Sequence, residues 1–114
     1  MNTKLLSSLQ DYGMNDKEAR VYLTTLELGA APVSTIARRA EVKRITTYYI
    51  LLDLEKKGIA NQVIKNGVKC FSVIGANRLL TILEDRFQHF KEMVPEFIAI
   101  DGKAFNSPKV KFFE

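Results

Sequence analysis

The dipeptide Asn66-Gly67 restricts this chain more than any other two residues in it. It separates two runs of strand character, Ile59 to Lys65 and Val68 to Ile74. A two-residue hairpin loop needs positive φ at both central positions, and Asn-Gly is the pair that accepts this most readily. An antiparallel hairpin is therefore expected, and it stands among helices, since the segments before it and the long one after it carry helical spacing. The fold class is mainly α with a small β-hairpin (α+β).

Leu5-Leu6-x-x-Leu9-x-x-Tyr12 has helical spacing and stops at Gly13. Asn15-Asp16-Lys17-Glu18 reads as a capping box, opening a helix that buries Ala19, Val21, Tyr22, Leu23, Leu26 and Leu28 in part and ends at Gly29. Ala30-Ala31-Pro32-Val33 is a short extended link, because proline pushes its predecessor out of helical space. Ser34 is the expected N-cap of a two-turn helix to Ala40. A turn at Glu41-Val42 leads to a longer helix from about Lys43 to Lys57, closed by Gly58. After the hairpin, Gly75-Ala76-Asn77 breaks the sheet, and a long helix runs to Ile100 with an interruption and kink at Pro95. Residues 101–108 read as loop. Lys109 to Glu114 reads as a strand, belonging to a fragment of a longer protein or pairing with another chain, with the fragment preferred.

Chemistry is narrowed early. A length of 114 residues, 46% hydrophobic and 26% charged, suits one soluble globular domain with an appendage. One cysteine, Cys70, excludes an internal disulfide and a multi-cysteine zinc site, and one histidine, His89, excludes any site needing two. No cofactor is expected. Glu84-Asp85 and Glu92/Glu96 are solvated helix charges, and no phosphate-binding glycine loop, zinc box or nucleophile elbow is present, so an enzyme is not expected. No apolar run reaches a membrane span and no secretory leader opens the chain, so a cytoplasmic location without membrane contact is expected. The net charge of +4 is concentrated: eight basic against three acidic residues lie between Arg38 and Lys69, while residues 76–114 are neutral. A local positive field of this kind suits a polyanion.

The order helix, helix, short strand, short helix, tight turn, longer helix, two-stranded hairpin is the plan of a winged helix-turn-helix, whose second helix enters the major groove. The short helix has its inner face at Ile36 and Ala40, with small Ala37 permitting close approach, and Val42 anchors the turn. Thr47, Ile50, Leu51 and Leu54 make the inner stripe of the recognition helix, about 43–57. Ile45, Tyr49, Leu52 and Lys56 lie opposite, flanked by Thr46, Tyr48 and Asp53. Arg44, Thr46, Tyr48 and Tyr49 are the candidates for double-stranded DNA in the major groove; Lys43, Ser34 and Thr35 are those for phosphates. The tip at about 65–69, with Lys65, Asn66 and Lys69, is the candidate wing over backbone or minor groove. The competing reading of the apolar Ile45/Tyr49/Leu52 face is a helix-packing surface, and the competing reading of the wing is a solvated hairpin.

These residues also carry a family resemblance. Asp11-Tyr12-Gly13-Met14-Asn15-Asp16-Lys17-Glu18-Ala19-Arg20-Val21-Tyr22-Leu23 resembles the opening of the TrmB-like transcriptional regulators. Val33-Ser34-Thr35-Ile36-Ala37 is similar to their second-helix signature. Arg44-x-x-x-Tyr48-x-Ile50-Leu51-x-x-Leu54-Glu55-Lys56-Lys57-Gly58-Ile59 is similar to their recognition helix and its exit. Phe71 to Leu80 resembles their strand-to-helix passage, so the likeness spans roughly 5–100. Single pieces also occur in MarR-like and ArsR-like winged helices. Glu41 stands where glycine is usual, Lys43 where proline is common, Thr47 where an aliphatic residue is usual, and Leu52 where a polar one is. The resemblance implies a DNA-binding regulator. The sugar-binding C-terminal effector domain of some members has no counterpart in this sequence, so the effector stays unassigned.

Ala76, Leu80, Leu83, Phe87, Phe90, Val94 and Phe97 are spaced 4, 3, 4, 3, 4, 3, a heptad seam that buries a stripe against another helix. Leu80, Leu83, Phe87, Phe90, Val94 and Phe97 are the candidate dimerisation residues of a homodimer; the alternative partner is the chain's own first helix. Three parts are therefore expected: a DNA-binding winged helix-turn-helix at 1–75, a long dimerisation helix at 76–100, and a linker with the start of a strand at 101–114. The alternative function is a winged-helix protein–protein interaction module or assembly adaptor that does not bind DNA.

Overall fold

The computed structural model describes residues 1–102, and the strand expected at 109–114 and all but the first two residues of the loop expected at 101–108 lie outside them. Five helices and one hairpin follow in order: α1 (Thr3–Asp11), α2 (Asp16–Leu28), α3 (Val33–Ala40), α4 (Arg44–Lys56), β1 (Ala60–Lys65), β2 (Val68–Val73) and α5 (Ala76–Ile100). The chain divides into two compact units, Met1–Leu79 and Leu80 onward, so the first turn of α5 belongs to the first unit.

Local chemistry sets the boundaries. The Asn2 side chain caps α1 by accepting from the N–H groups of Lys4 and Leu5 at 3.0 and 3.1 Å. The capping box of α2 is complete: Glu18 N–H donates to Asn15 Oδ1 at 2.8 Å, and Asn15 N–H donates to Glu18 Oε1 at 2.9 Å. Asn66 and Gly67 have φ of 53° and 76°, the paired left-handed conformation that an Asn-Gly hairpin loop requires. The strands pair antiparallel from Ala60↔Val73 to Lys65↔Val68.

Three sequence expectations are corrected. Ser34 is not the N-cap of α3. Pro32, at φ −67° and ψ 154°, takes that position, its carbonyl accepting from Thr35 and Ile36, so the helix starts at Val33 and Ser34 falls within the first turn. Leu52 does not face outward; it is half-buried and packs against the core cluster. Pro95 does not interrupt α5, which runs unbroken through it to Ile100.

The core cluster of the first unit gathers Val21 of α2, Ala31 of the link, Ile36 and Ala40 of α3, Val42 of the turn, Leu51 of α4 and Phe71 of β2. Phe71 is fully buried and central. Its N–H donates to the Ala31 carbonyl at 2.9 Å and its carbonyl accepts from Ala31 N–H at 3.0 Å, so the base of the hairpin is bonded to the segment entering α3. Burying a side chain of this size is worth about 1.5–3 kcal/mol. The Tyr22 hydroxyl, also in the interior, donates to the Ile74 carbonyl at 2.8 Å.

Candidate nucleic-acid interface

The helix-turn-helix is α3, a turn of three residues and α4. Glu41 makes the turn in the left-handed region, at φ 59° and ψ 44°, and its N–H returns to the carbonyls of Ala37 and Arg38. Val42 N–H then donates to the Ala37 carbonyl at 3.1 Å while its side chain enters the core. Arg20 of α2 holds the turn from below. Its Nε and Nη2 donate to the Ala40 carbonyl at 3.0 and 2.8 Å, and Nη2 also reaches the Glu41 carbonyl at 3.3 Å. Ion pairs with Glu41 at 3.4 Å and Asp16 at 3.5 Å complete its surroundings. Thr47, fully buried, donates its hydroxyl to the Lys43 carbonyl at 2.9 Å. Threonine at this inner position thus ties the start of α4 to its own first turn.

With the turn fixed this way, the N-cap Lys43 and Arg44, Ile45 and Tyr49 of α4 are presented to solvent, with Ile45 63% and Tyr49 62% exposed. Thr46 and Tyr48 are half-buried. Tyr48 leans back on the core, its ring edge-on to Phe71 at 6.2 Å and to Tyr49 at 5.6 Å. Lys69 Nζ lies 5.9 Å from the Tyr48 ring centroid, within cation–π range, so a wing cation is placed beside the recognition helix. Lys65, Asn66, Gly67, Val68 and Lys69 are all exposed.

Between the starts of α3 and α4 and the strand β2 lies an open groove of about 630 Å³. It brings together four of the ten expected DNA-binding residues: Ser34, Arg44, Tyr48 and Lys69. Thr35, Lys43, Thr46, Tyr49, Lys65 and Asn66 do not line it. Pro32, Val33, Val68 and Phe71, not singled out in the sequence, do. The ion pairs among the described residues involve Arg20 and Lys57, leaving Lys43, Arg44, Lys65 and Lys69 without carboxylate partners there. The clamp by Arg20 was invisible in the sequence because backbone carbonyls are its main acceptors, and they carry no residue-type signature.

In the second unit, α5 exposes Leu80, Phe87, Phe90 and Phe97 on one stripe, with Leu83 and Val94 half-buried. Phe87 is 65% and Phe90 56% exposed, and the Phe90 and Phe97 rings lie 5.4 Å apart. Cys70 is buried and His89 is exposed. Among the described residues no cluster of His, Cys, Asp or Glu could hold a metal ion, and no helix is long and apolar enough to cross a membrane.

The family model described as sugar-specific transcriptional regulator TrmB matches residues 9–77. No curated protein matches the chain. Among solved structures, TrmBL2, an archaeal chromatin protein whose structure shows a novel mode of DNA binding, is 26% identical with a TM-score of 0.70. The match covers 94% of this chain and 41% of that protein, so this chain spans less than half of its length. A possible transcriptional regulator from Methanosarcina mazei Go1 is 13% identical with a TM-score of 0.66, over 77% of this chain and 79% of that one. The ST1889 protein of Sulfolobus tokodaii is 17% identical with a TM-score of 0.61, over 75% of this chain and 94% of that one. These last two likenesses concern the fold.

Proposed function

This chain belongs to the TrmB family of transcriptional regulators, and from that membership we propose that it binds double-stranded DNA sequence-specifically as a homodimer. The observation that carries the reading is the entry to α4: Arg20 holds the preceding turn at Ala40 and Glu41, Thr47 bonds the Lys43 carbonyl, and the exposed Lys43 and Arg44 have no partner carboxylates among the described residues. Residues 1–75 form the DNA-binding part, with Arg44, Thr46, Tyr48 and Tyr49 toward base edges and Ser34, Thr35 and Lys43 on phosphates. Lys65, Asn66 and Lys69 contact backbone or minor groove from the wing. Residues 76–100 supply dimerisation through Leu80, Leu83, Phe87, Phe90, Val94 and Phe97, matching two-fold half-sites. That TrmBL2 is a DNA-binding protein supports DNA as the partner. No catalysis is invoked, and a cytoplasmic location follows from the role.

Binding to duplex DNA across a salt series tests this. A dimer neutralising six to ten phosphates loses roughly 10³–10⁵ in affinity between 50 and 200 mM salt. Arg44→Ala costs about 1–3 kcal/mol and relaxes preference at one base pair if Arg44 reads a guanine, whereas equal loss on every sequence makes it a phosphate contact. A folded sample that ignores duplex even at low salt overturns the reading. It would favour the protein–protein interaction module, for which the exposed Ile45 and Tyr49 are the supporting feature.

A further inference from the structure

The groove between α3, α4 and β2 is more apolar than DNA binding asks of it. Tyr48 and Phe71 form part of its lining, and Ile45 and Val68 expose 63% and 47% of their surface. Arg44 from α4 and Lys69 from β2 also line it, no Asp or Glu does, and neither cation has a carboxylate partner among the described residues. Its volume of about 630 Å³ is that of a small-molecule site, where a mostly apolar wall with a few polar groups is the usual composition. A phosphate would satisfy the cations and leave the aromatic and aliphatic wall wet, and a neutral sugar would bring no charge to meet them. A neutral hydrocarbon would do the reverse.

We propose that this groove binds a small aromatic carboxylate, and that its occupancy competes with DNA; the second half rests on the DNA-binding reading, the first does not. The ring lies against Tyr48, Val68 and Ile45, and the carboxylate accepts charge-assisted hydrogen bonds from Arg44, with Lys69 as the second cation. Arg–carboxylate pairs of this kind are frequently bidentate. Lys69, already 5.9 Å from the Tyr48 ring centroid, needs little reorganisation to take this role. An Arg44 engaged by a carboxylate is withdrawn from base or phosphate, so the two ligands disfavour each other reciprocally.

The probes are 2-naphthoate and its neutral isostere 2-naphthamide, titrated into the full chain and followed by amide chemical shifts. The expected result is saturable movement confined to the first two turns of α4, the start of α3 and β2, with naphthoate about tenfold tighter than the amide. Arg44→Ala and Lys69→Ala each weaken naphthoate severalfold without changing thermal unfolding, and Arg38→Ala, outside the groove, does not. Absence of saturable shifts at millimolar probe, equal affinity for acid and amide, or shifts centred on α5 overturns the site. Naphthoate that saturates the groove must also raise the apparent Kd for duplex DNA several-fold. Unchanged DNA affinity overturns the competition. A chain that binds naphthoate but no duplex retains the site and loses the DNA reading, so the two failures are distinct.

Discussion

Glu41 shows how one residue sets the angle between two helices. A side chain in the left-handed region costs about 1–2 kcal/mol. The exposed Arg20–Glu41 ion pair returns little of that, since surface pairs contribute about 0–1 kcal/mol. Glu41→Gly removes the strain but adds freedom to the unfolded chain, worth about 0.4–1 kcal/mol. Urea unfolding should therefore place Glu41→Gly from equal to about 1 kcal/mol more stable, and the β-branched Glu41→Val about 1 kcal/mol or more less stable. Tyr22 gives a pH signature. Burial pushes its phenol above the ordinary value of 10.0. The folded state then holds the proton after the unfolded chain has released it, so this contribution is intact below about pH 10 and falls as pH rises toward the elevated folded value. Chemical denaturation from pH 8 to 11 should show the decline, and Tyr22→Phe should flatten it while lowering stability at pH 8 through loss of the hydrogen bond to Ile74.

Among the elements, those written in local chemistry are legible in the sequence: the Asn15/Glu18 box and the Asn66-Gly67 turn are as expected, and of the inner stripe Thr47, Leu51 and Leu54 are buried while Ile50 is half-buried against the core. Features settled by contacts distant in sequence were not. Tyr48 sits on the flank of its helix by spacing alone, and only Phe71, twenty-three positions later, turns it inward. Leu52 likewise looked outward until the core claimed it. The start of α3 lies two residues earlier than a Ser34 cap implies, because Pro32 is both extended in ψ and preset in φ, which lets it cap without a side-chain acceptor. The wing carries its own prediction. Replacing Lys65 and Lys69 together by Ala should weaken DNA affinity evenly across sequences and reduce the salt slope by about two per protomer, measured by anisotropy at several ionic strengths. An unchanged slope would make the hairpin a bystander.

At the scale of the whole molecule, α5 carries an apolar stripe that is exposed among the described residues. Phe87, Phe90 and Phe97 stand more than half exposed on one helix, and each buried aromatic of this kind contributes about 1.5–3 kcal/mol to an association. Phe87→Glu with Phe90→Glu should yield monomers by light scattering, retain the helical signal of the first unit and weaken duplex binding. A double variant that stays dimeric assigns the assembly to another surface.

The bridge between Ala31 and Phe71 has a mechanical corollary. Alternate residues of a strand point to opposite faces, so sliding β2 by a single step would bring Cys70 or Ser72 to the berth that Phe71 fills and evict the aromatic ring. The ladder is thereby locked in phase with the link into α3, and whatever reach the wing has must come from bending near its tip rather than from slippage at its root.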